Sequence, residues 1–341
     1  MHFSDILISW YSKYKRELPW RNTVSPYRVW LSEIILQQTR VAQGLGYYNK
    51  FVASYPKVED LANDSEDNVL KLWQGLGYYS RARNLHATAK VVSSQFNGVF
   101  PVTYDEIIKL KGVGAYTAAA ISSFCYGEKR AVVDGNVYRV LSRYFGISTP
   151  IDSTIGKKEF QELAQECLSI VNPGEHNQAI MEFGALQCTP KPNCEICPLR
   201  DTCIAYSSSL VKSFPVKVKK TKIRDRYFNF IILSDGDTFY IQKREFKDIW
   251  ENLYQFPLYE SKKEVLSPLE LKEEFVNQAI FLKVSKQFKH VLSHQHIYAK
   301  FWEFKLTKIP PMKGYKKIKK RDIQEFAIPR LIEKYLESLK N

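Results

Sequence analysis

Leu110-Lys111-Gly112-Val113-Gly114-Ala115 is the stretch that organises the rest of the chain. Two glycines two positions apart let a backbone turn tightly and come close to a ligand. Upstream, Thr103 and Glu106 have the spacing of a capping box, which predicts a helix ending at Leu110. Downstream, the alanine-rich run from Ala115 to Phe124 predicts a second, closely packing helix. Its free N–H groups and positive dipole end would face an anion, and phosphate is the natural guest. Gly112, Val113 and Gly114 are therefore candidate nucleic-acid contacts. An ordinary helix–helix turn reads the same way in isolation, so the neighbours must decide.

The first neighbour is Val132-Val133-Asp134-Gly135-Asn136, with Asp134 where a helix from about Asn136 to Tyr144 should begin. An aspartate at a helix start accepts backbone N–H bonds, and the dipole favours its ionised form. It is either a plain cap or an anion held ready beside a developing cation. The second neighbour is Glu33. Ser25-Pro26 is a good helix start, and Val29, Trp30, Glu33, Ile34 and Gln37 follow at helical spacing. A charge flanked on its helix face by Val29, Trp30, Leu36 and Gln37 is unusual. Burial would raise its pKa and keep it protonated as a general acid; solvation would leave it an ordinary surface glutamate. One raised and one depressed carboxyl is the pattern that assigns acid and anion in cleavage at an anomeric carbon.

Cys188, Cys194, Cys197 and Cys203 fall within sixteen positions, separated by five, two and five residues. Zinc sites usually show two close Cys-x-x-Cys pairs, and here only Cys194 and Cys197 form one. The one-two-one spread suits a [4Fe–4S] cluster better, with structural zinc as the alternative. Cys125 and Cys167 stand alone in apolar stretches and read as core. In Trp73-Gln74-Gly75-Leu76-Gly77-Tyr78-Tyr79-Ser80-Arg81-Ala82-Arg83, aromatic, glycine and basic residues interleave. An exposed tyrosine there would wedge between bases while Arg81 and Arg83 take phosphates; plain packing is the alternative.

The chain's 341 residues make room for about two domains at roughly 150 residues each. Hydrophobic residues form 45%, enough for packed cores, and the net charge of +14 suits a polyanionic partner. No secretory signal opens the chain, and no run approaches the roughly 18 apolar residues of a membrane span. The expectation is a soluble, cytoplasmic protein, nucleoid-associated if bacterial. Residues 1–205 read as helical. Residues 206–224, with Phe214-Pro215-Val216-Lys217-Val218-Lys219-Lys220-Thr221-Lys222, read as a basic linker. From 225 to 341 the texture is α+β. Tyr227 to Leu233 and Thr238 to Ile241 flank a turn at Asp235-Gly236, a further strand runs from about His296 to Leu306, and an amphipathic helix from Pro329 to Leu339 ends the chain.

These motifs carry a resemblance. Leu18-Pro19-Trp20-Arg21, Ser32-Glu33-Ile34-Ile35-Leu36-Gln37-Gln38-Thr39, Gly75-Leu76-Gly77-Tyr78-Tyr79, Gly112-Val113-Gly114-Ala115-Tyr116-Thr117-Ala118, Val133-Asp134-Gly135-Asn136 and the cysteines occur in one order. Nearly end to end, the chain resembles adenine DNA glycosylases of the MutY type, in the helix-hairpin-helix superfamily. The resemblance implies a multidomain protein. An all-α helix-hairpin-helix catalytic domain with a [4Fe–4S] loop would precede a C-terminal α+β, Nudix-like domain that senses 8-oxoguanine. It implies a monomer on double-stranded DNA, hydrolysing the N-glycosidic bond of adenine mispaired with 8-oxoguanine or guanine. Glu33 would protonate adenine N7, and Asp134 would stabilise the oxocarbenium-like sugar, alone or through a transient covalent adduct. Tyr116 and Asn136 would position the two carboxyls. Trp20, Arg21 and Leu36 would line the pocket of the flipped base. Gln38 and Tyr78 would wedge into the duplex, with Thr39 and Leu76 beside the oxidised guanine and Ser293 and His294 reading it.

Some positions depart from the family pattern. The Phe-Ser-His turn is here Leu292-Ser293-His294, the first cysteine gap is five residues instead of six, Lys111 replaces a proline, and Gln178 stands where some members carry glutamate. No Nudix-type acidic helix motif is visible, so no pyrophosphohydrolase is expected. Two other readings compete: an endonuclease III-like pyrimidine glycosylase and a non-catalytic iron–sulfur DNA-binding protein. Tyr116 counts against the first, since endonuclease III-type lyases place a Schiff-base lysine there and tyrosine cannot replace it. The presence of both Glu33 and Asp134 counts against the second.

Overall fold

The computed structural model describes residues 2–218, 223–271, 279–306 and 314–339; Met1 and, in the basic run, Lys219, Lys220, Thr221 and Lys222 lie outside them. The chain divides into two compact units: Met1–Asn63 with Asn84–Lys219, and Asp64–Arg83 with Lys220–Asn341. Helices α1 (Phe3–Tyr14), α2 (Pro26–Leu36), α3 (Val41–Ser54) and α4 (Val58–Asn63) open the first unit. Next come α5 (Glu66–Trp73), α6 (Ser80–Gln95), α7 (Tyr104–Ile107), α8 (Ala115–Tyr126), α9 (Gly135–Phe145), α10 (Thr154–Glu166), α11 (Pro173–Leu186) and α12 (Ile204–Ser207). Among the described residues, no helix is long and apolar enough to cross a membrane.

In the first unit, Leu7, Trp10 and Tyr11 of α1 share a core with Ala119 and Ala120 of α8, Val137, Val140 and Leu141 of α9, and Ile180 and Phe183 of α11. The alanines of α8 let its neighbours approach closely, as the sequence predicts. The helix expected to reach Leu110 is shorter. After Ile107 its bonds tighten to three-residue spacing, Lys109 N–H to Glu106 O and Leu110 N–H to Ile107 O, which closes it into the hairpin. The capping box is present, with Thr103 Oγ1 donating to Glu106 Oε2 at 2.8 Å. Gly112 has φ +77° and sits against Asn84, where a Cβ would come within 2.6 Å of the Asn84 Cβ, so glycine is required twice over.

Residues 206–218 differ from a free linker. Arg143 Nε donates to the carbonyls of Val211 and Phe214, Ile151 N–H donates to Val216 O, and Val218 N–H donates to Asp152 Oδ1. Phe214 is buried, and the buried Arg143 claims its carbonyl and that of Val211, which together tie the segment down.

The second unit is built on a sheet of β1 (Arg224–Ser234), β2 (Thr238–Lys243), β3 (Tyr254–Gln255), β4 (Leu258–Ser261), β5 (Ile280–Val284), β6 (Phe288–Val291), β7 (Gln295–Lys305) and β8 (Lys316–Lys319). The central pair is parallel, from Arg224↔Gln295 to Ser234↔Lys305. The predicted hairpin is present, with Ser234 opposite Phe239. The last helix, α13 (Arg330–Ser338), stacks its Tyr335 on Phe301 at 3.9 Å between ring centroids. Helix α5 belongs to this unit through polar contacts that hydrophobic periodicity does not reveal. Asp67 pairs with Lys243 Nζ at 2.5 Å and accepts from Tyr254 Oη at 3.1 Å, and Lys71 Nζ donates to Phe326 O.

Candidate active site

Glu33, on the inner face of α2, is 7% exposed and lines a cavity of about 780 Å³. Burial pushes its carboxyl up from 4.5 to about 7. A hydrogen bond from Tyr116 and the charge of Arg21 oppose the rise, and Asp134 adds to it. Burial also lifts the Tyr116 hydroxyl well above 10, so it stays a donor. Its oxygen lies 3.7 Å from Met181 Sδ.

Asp134 caps α9. Its Oδ1 accepts the N–H groups of Asn136 and Val137, both at 2.8 Å, and its Oδ2 accepts Asn136 Nδ2 at 3.0 Å. The sequence predicts a depressed carboxyl here, and the structure corrects that. Burial pushes Asp134 up, against those bonds and the charge of Arg139. Leaving water outweighs the dipole and the cap, so both carboxyls of the pair are raised. What separates them is bonding. Asp134 already accepts from three donors, the pattern of a carboxylate, while Glu33 keeps the environment of a neutral acid.

Trp20, Arg21, Leu36, Gln38, Thr39, Tyr116 and Asn136 line the same cavity. Trp20 is wedged edge-on against Tyr48, and Gln38 holds a positive φ of 52° where α2 turns away. Gln178 also lines it, with Oε1 accepting from Tyr11 Oη at 2.7 Å.

Three functional features escape the sequence reading. Glu182, fully buried, receives both Arg16 and Arg21; burial pushes it up, but their hydrogen bonds bring it down to about 2. This ion triad fixes the Arg21 guanidinium at the cavity wall. A charge inside the apolar run Ile180-Met181-Glu182-Phe183 is the signal that singled out Glu33, and it applies here as well. Arg139, one turn beyond Asn136, donates to Asn136 Oδ1 at 2.8 Å, Gly184 O at 2.6 Å and Cys188 O at 2.7 Å. Gly184 itself lets α11 meet α9, since a Cβ there would lie 2.6 Å from the Asn136 Cβ.

The four cysteines line one recess with Arg143. Arg143 Nη1 reaches Cys188 Sγ at 3.5 Å and Thr189 O at 2.6 Å, and the Cys203 thiol faces Arg143 O. Among the described residues, no three His, Cys, Asp or Glu side chains converge as a single ion would need. In the hairpin, the Val113 side chain is buried while Gly112 and Gly114 face solvent.

Leu76, Tyr78, Ser293 and His294 belong to the second unit, and three of them come together. Tyr78 Oη donates to Ser293 Oγ at 3.4 Å, and Ser293 Oγ lies 3.3 Å from His294 Nδ1. Tyr78 is 44% exposed and Leu76 is buried. Arg81 and Arg83 are corrected. Arg81 is buried over the Trp73 ring, with Nη2 donating to Gly77 O at 3.1 Å, and burial lowers its pKa to about 10. Arg83 pairs with Glu251 at 2.5 Å. Neither is presented to a phosphate; each is held by its own partners, Arg81 by Trp73 and Gly77 and Arg83 by Glu251.

Residues 31–167 match the family described as HhH-GPD superfamily base excision DNA repair protein, and residues 229–338 match a NUDIX domain. The adenine DNA glycosylase of Buchnera aphidicola subsp. Baizongia pistaciae (strain Bp) is 37% identical over 305 residues, covering 87% of this chain and 84% of that one. The adenine DNA glycosylase of Buchnera aphidicola subsp. Schizaphis graminum (strain Sg) is 34% identical over 353 residues, 99% of each. Among solved structures, a thermostable thymine-DNA glycosylase aligns over 60% of this chain and 95% of its own, with 32% identity and a TM-score of 0.56. With a helix-hairpin-helix domain that holds the paired carboxyls, a strand-rich Nudix-like domain and relatives aligned over 84% and 99% of their length, the chain belongs to the adenine DNA glycosylase family.

Proposed function

We propose that this protein excises adenine lying opposite 8-oxoguanine or guanine in double-stranded DNA, by hydrolysis of the N-glycosidic bond. It would act as a monomer, without cutting the strand. The observation that carries the reading is the pairing, in one cavity, of a buried acid with a carboxyl near 7 and a second carboxyl that accepts from three donors.

The mechanism follows from those groups. The flipped base enters beside Trp20, Leu36 and Arg21. Glu33 gives its proton to adenine N7, so the C1′–N9 bond breaks with its electron pair leaving on a neutral base. The sugar becomes an oxocarbenium-like cation. Asp134, already oriented by Asn136 and the start of α9, faces that charge without needing to reorganise. Water adds at C1′ and its proton returns to Glu33, which restores the acid. Among the described residues that line the cavity there is no lysine, and Tyr116 cannot form a Schiff base, which supports base release alone. Gly112 and Gly114 would present N–H groups to a phosphate. Cys188, Cys194, Cys197 and Cys203, which line one recess, would hold a [4Fe–4S] cluster, their one-two-one spacing suiting it better than the two close pairs usual for zinc. When bound, it would fix residues 188–203 as one rigid loop.

The test is a duplex with one adenine opposite 8-oxoguanine, assayed for free adenine and for breaks with and without alkali. Adenine release with breaks only after alkali is expected. Breaks without alkali would point to a lyase, and binding without release would point to a non-catalytic protein.

A further inference from the structure

Arg83 and Glu251 have no part in the chemistry above, yet their pairing closes a ring of contacts in the second unit. Arg83 Nη1 donates to Glu251 O at 2.8 Å and Nη2 to Glu251 Oε2 at 2.5 Å. Both partners are largely buried, with 18% and 26% of their side chains exposed. Arg83 lies five residues past Tyr78, and Arg81 between them lies 5.8 Å from the Tyr78 ring. On the other side, Glu251 sits in a loop that Arg244 holds by donating to Asp248 Oδ2 at 2.6 Å and Ile249 O at 3.0 Å. Arg226 then donates to Asp248 at 2.9 and 2.8 Å and to Gln295 Oε1 at 3.4 Å. Gln295 directly follows His294, whose carbonyl accepts Arg224 N–H at 3.1 Å. The ring closes where Tyr78 Oη meets Ser293 Oγ. Tyr78 in this ring, and Trp250 and Asn252 on either side of Glu251, hold positive φ of 47°, 59° and 65°. Such backbone persists only where the surroundings over-determine it.

We infer that Arg83 and Glu251 are positioning residues for reading the base opposite adenine. Their ion pair, with Arg81 under the Tyr78 ring, holds Tyr78 and the Ser293–His294 turn in one arrangement that fits 8-oxoguanine. The inference rests on the proposed lesion reading. A salt bridge placed only for stability would weaken every duplex equally. A latch between two reading elements weakens the duplex whose lesion both of them touch.

The experiment uses the full chain and duplexes with 2′-fluoro-2′-deoxyadenosine, which resists hydrolysis, opposite 8-oxoguanine or guanine. Glu251→Gln keeps shape and removes the charge; Arg83→Met removes the cation and Arg83→Lys keeps it. Glu251→Gln and Arg83→Met should each cut the preference for 8-oxoguanine about tenfold, and the double variant should lose no more than either, the coupling expected of direct partners. Arg83→Lys should recover part of the preference, and Glu251→Gln should still excise adenine opposite guanine at the wild-type rate. Equal weakening on both duplexes, an unchanged preference, or losses that multiply in the double variant would overturn the latch. If Arg83→Met fails to fold, Glu251→Gln combined with Arg83→Lys decides by the same readout. A wild-type protein that shows no preference sinks the lesion reading itself, whereas a preference that survives the variants sinks only the latch.

Discussion

On the proposed reading, the cavity around Glu33 and Asp134 and the Ser293–His294 turn solve opposite problems. In the cavity the reactive groups are buried or half-buried and already bonded: Asp134 to three donors, Tyr116 to Glu33, and Arg21 to Glu182. The turn carries exposed side chains linked by long contacts of 3.3 to 3.4 Å. Stabilising a charge that exists only in a transition state requires donors fixed in advance, because moving them costs part of the gain. Recognising a base that arrives from outside requires groups that water can leave. The contrast predicts that substitutions in the cavity remove rate while sparing binding, and that substitutions at the turn do the reverse.

Glu33→Gln should break the cavity most completely. Losing a positioned general acid costs about 10²–10⁴ in rate, so single-turnover base release should fall by that factor while mismatch affinity stays at the wild-type level. If affinity collapses as well, Glu33 is structural. In the wild-type protein the rate should fall above pH 7, because the active form is the protonated acid and its carboxyl titrates at about 7. Stability gives an independent check. Below pH 4.5 folded and unfolded chains both hold this proton. As pH rises, the unfolded glutamate ionises first, so stability drains away through the folded value. The shift from 4.5 to about 7 corresponds to about 3 kcal/mol at full ionisation. Glu33→Gln escapes this cost, so its melting temperature should gain on wild type between pH 5 and pH 8. A gap that does not change with pH would show that the carboxyl is not buried as described.

Gly184→Ala sharpens the comparison without touching a reactive atom. The added Cβ would lie 2.6 Å from the Asn136 Cβ and 3.0 Å from its carbonyl oxygen, so α9 or α11 must shift. Overpacking of this kind costs about 1–3 kcal/mol, and displacing a positioned group by about 1 Å can cost up to about 10² in rate. The rate constant for base release should drop about ten- to a hundredfold with little change in affinity. Wild-type turnover would mean that Asn136 does not position Asp134.

What the sequence made legible divides along the same line. The hairpin glycines, the cap at Asp134 and the charge on the apolar face of α2 are visible because each leaves a local mark in composition or periodicity. The Arg16–Arg21–Glu182 triad joins residues more than 160 positions apart, and only its glutamate leaves a local mark. Asp134's raised carboxyl was invisible for another reason. Caps and dipoles are local, while burial is set by helices that arrive later in the chain. Arg81 and Arg83 misled because a basic residue in a glycine-rich stretch resembles a phosphate contact until its tertiary partners are known. The membership of α5 in the second unit rests on side-chain pairs such as Asp67 with Lys243, which no periodicity encodes.

The smallest effect should come from Leu292→Phe, at the turn. Leu292 is half-buried, its N–H donating to Gln295 O at 2.8 Å, so its backbone is already set by the strand pair that follows. Changing the side chain leaves that bond intact and replaces an aliphatic surface with a ring. A ring stacks on a base face, worth about 1 kcal/mol or slightly more per contact, whereas leucine offers only area. Affinity for the duplex with 8-oxoguanine should therefore rise a few-fold, while single-turnover release from that duplex stays at the wild-type rate, because nothing in the cavity has moved. A change in the rate of base release with no change in affinity would reverse the assignment, making the turn part of the catalytic frame instead of its reader.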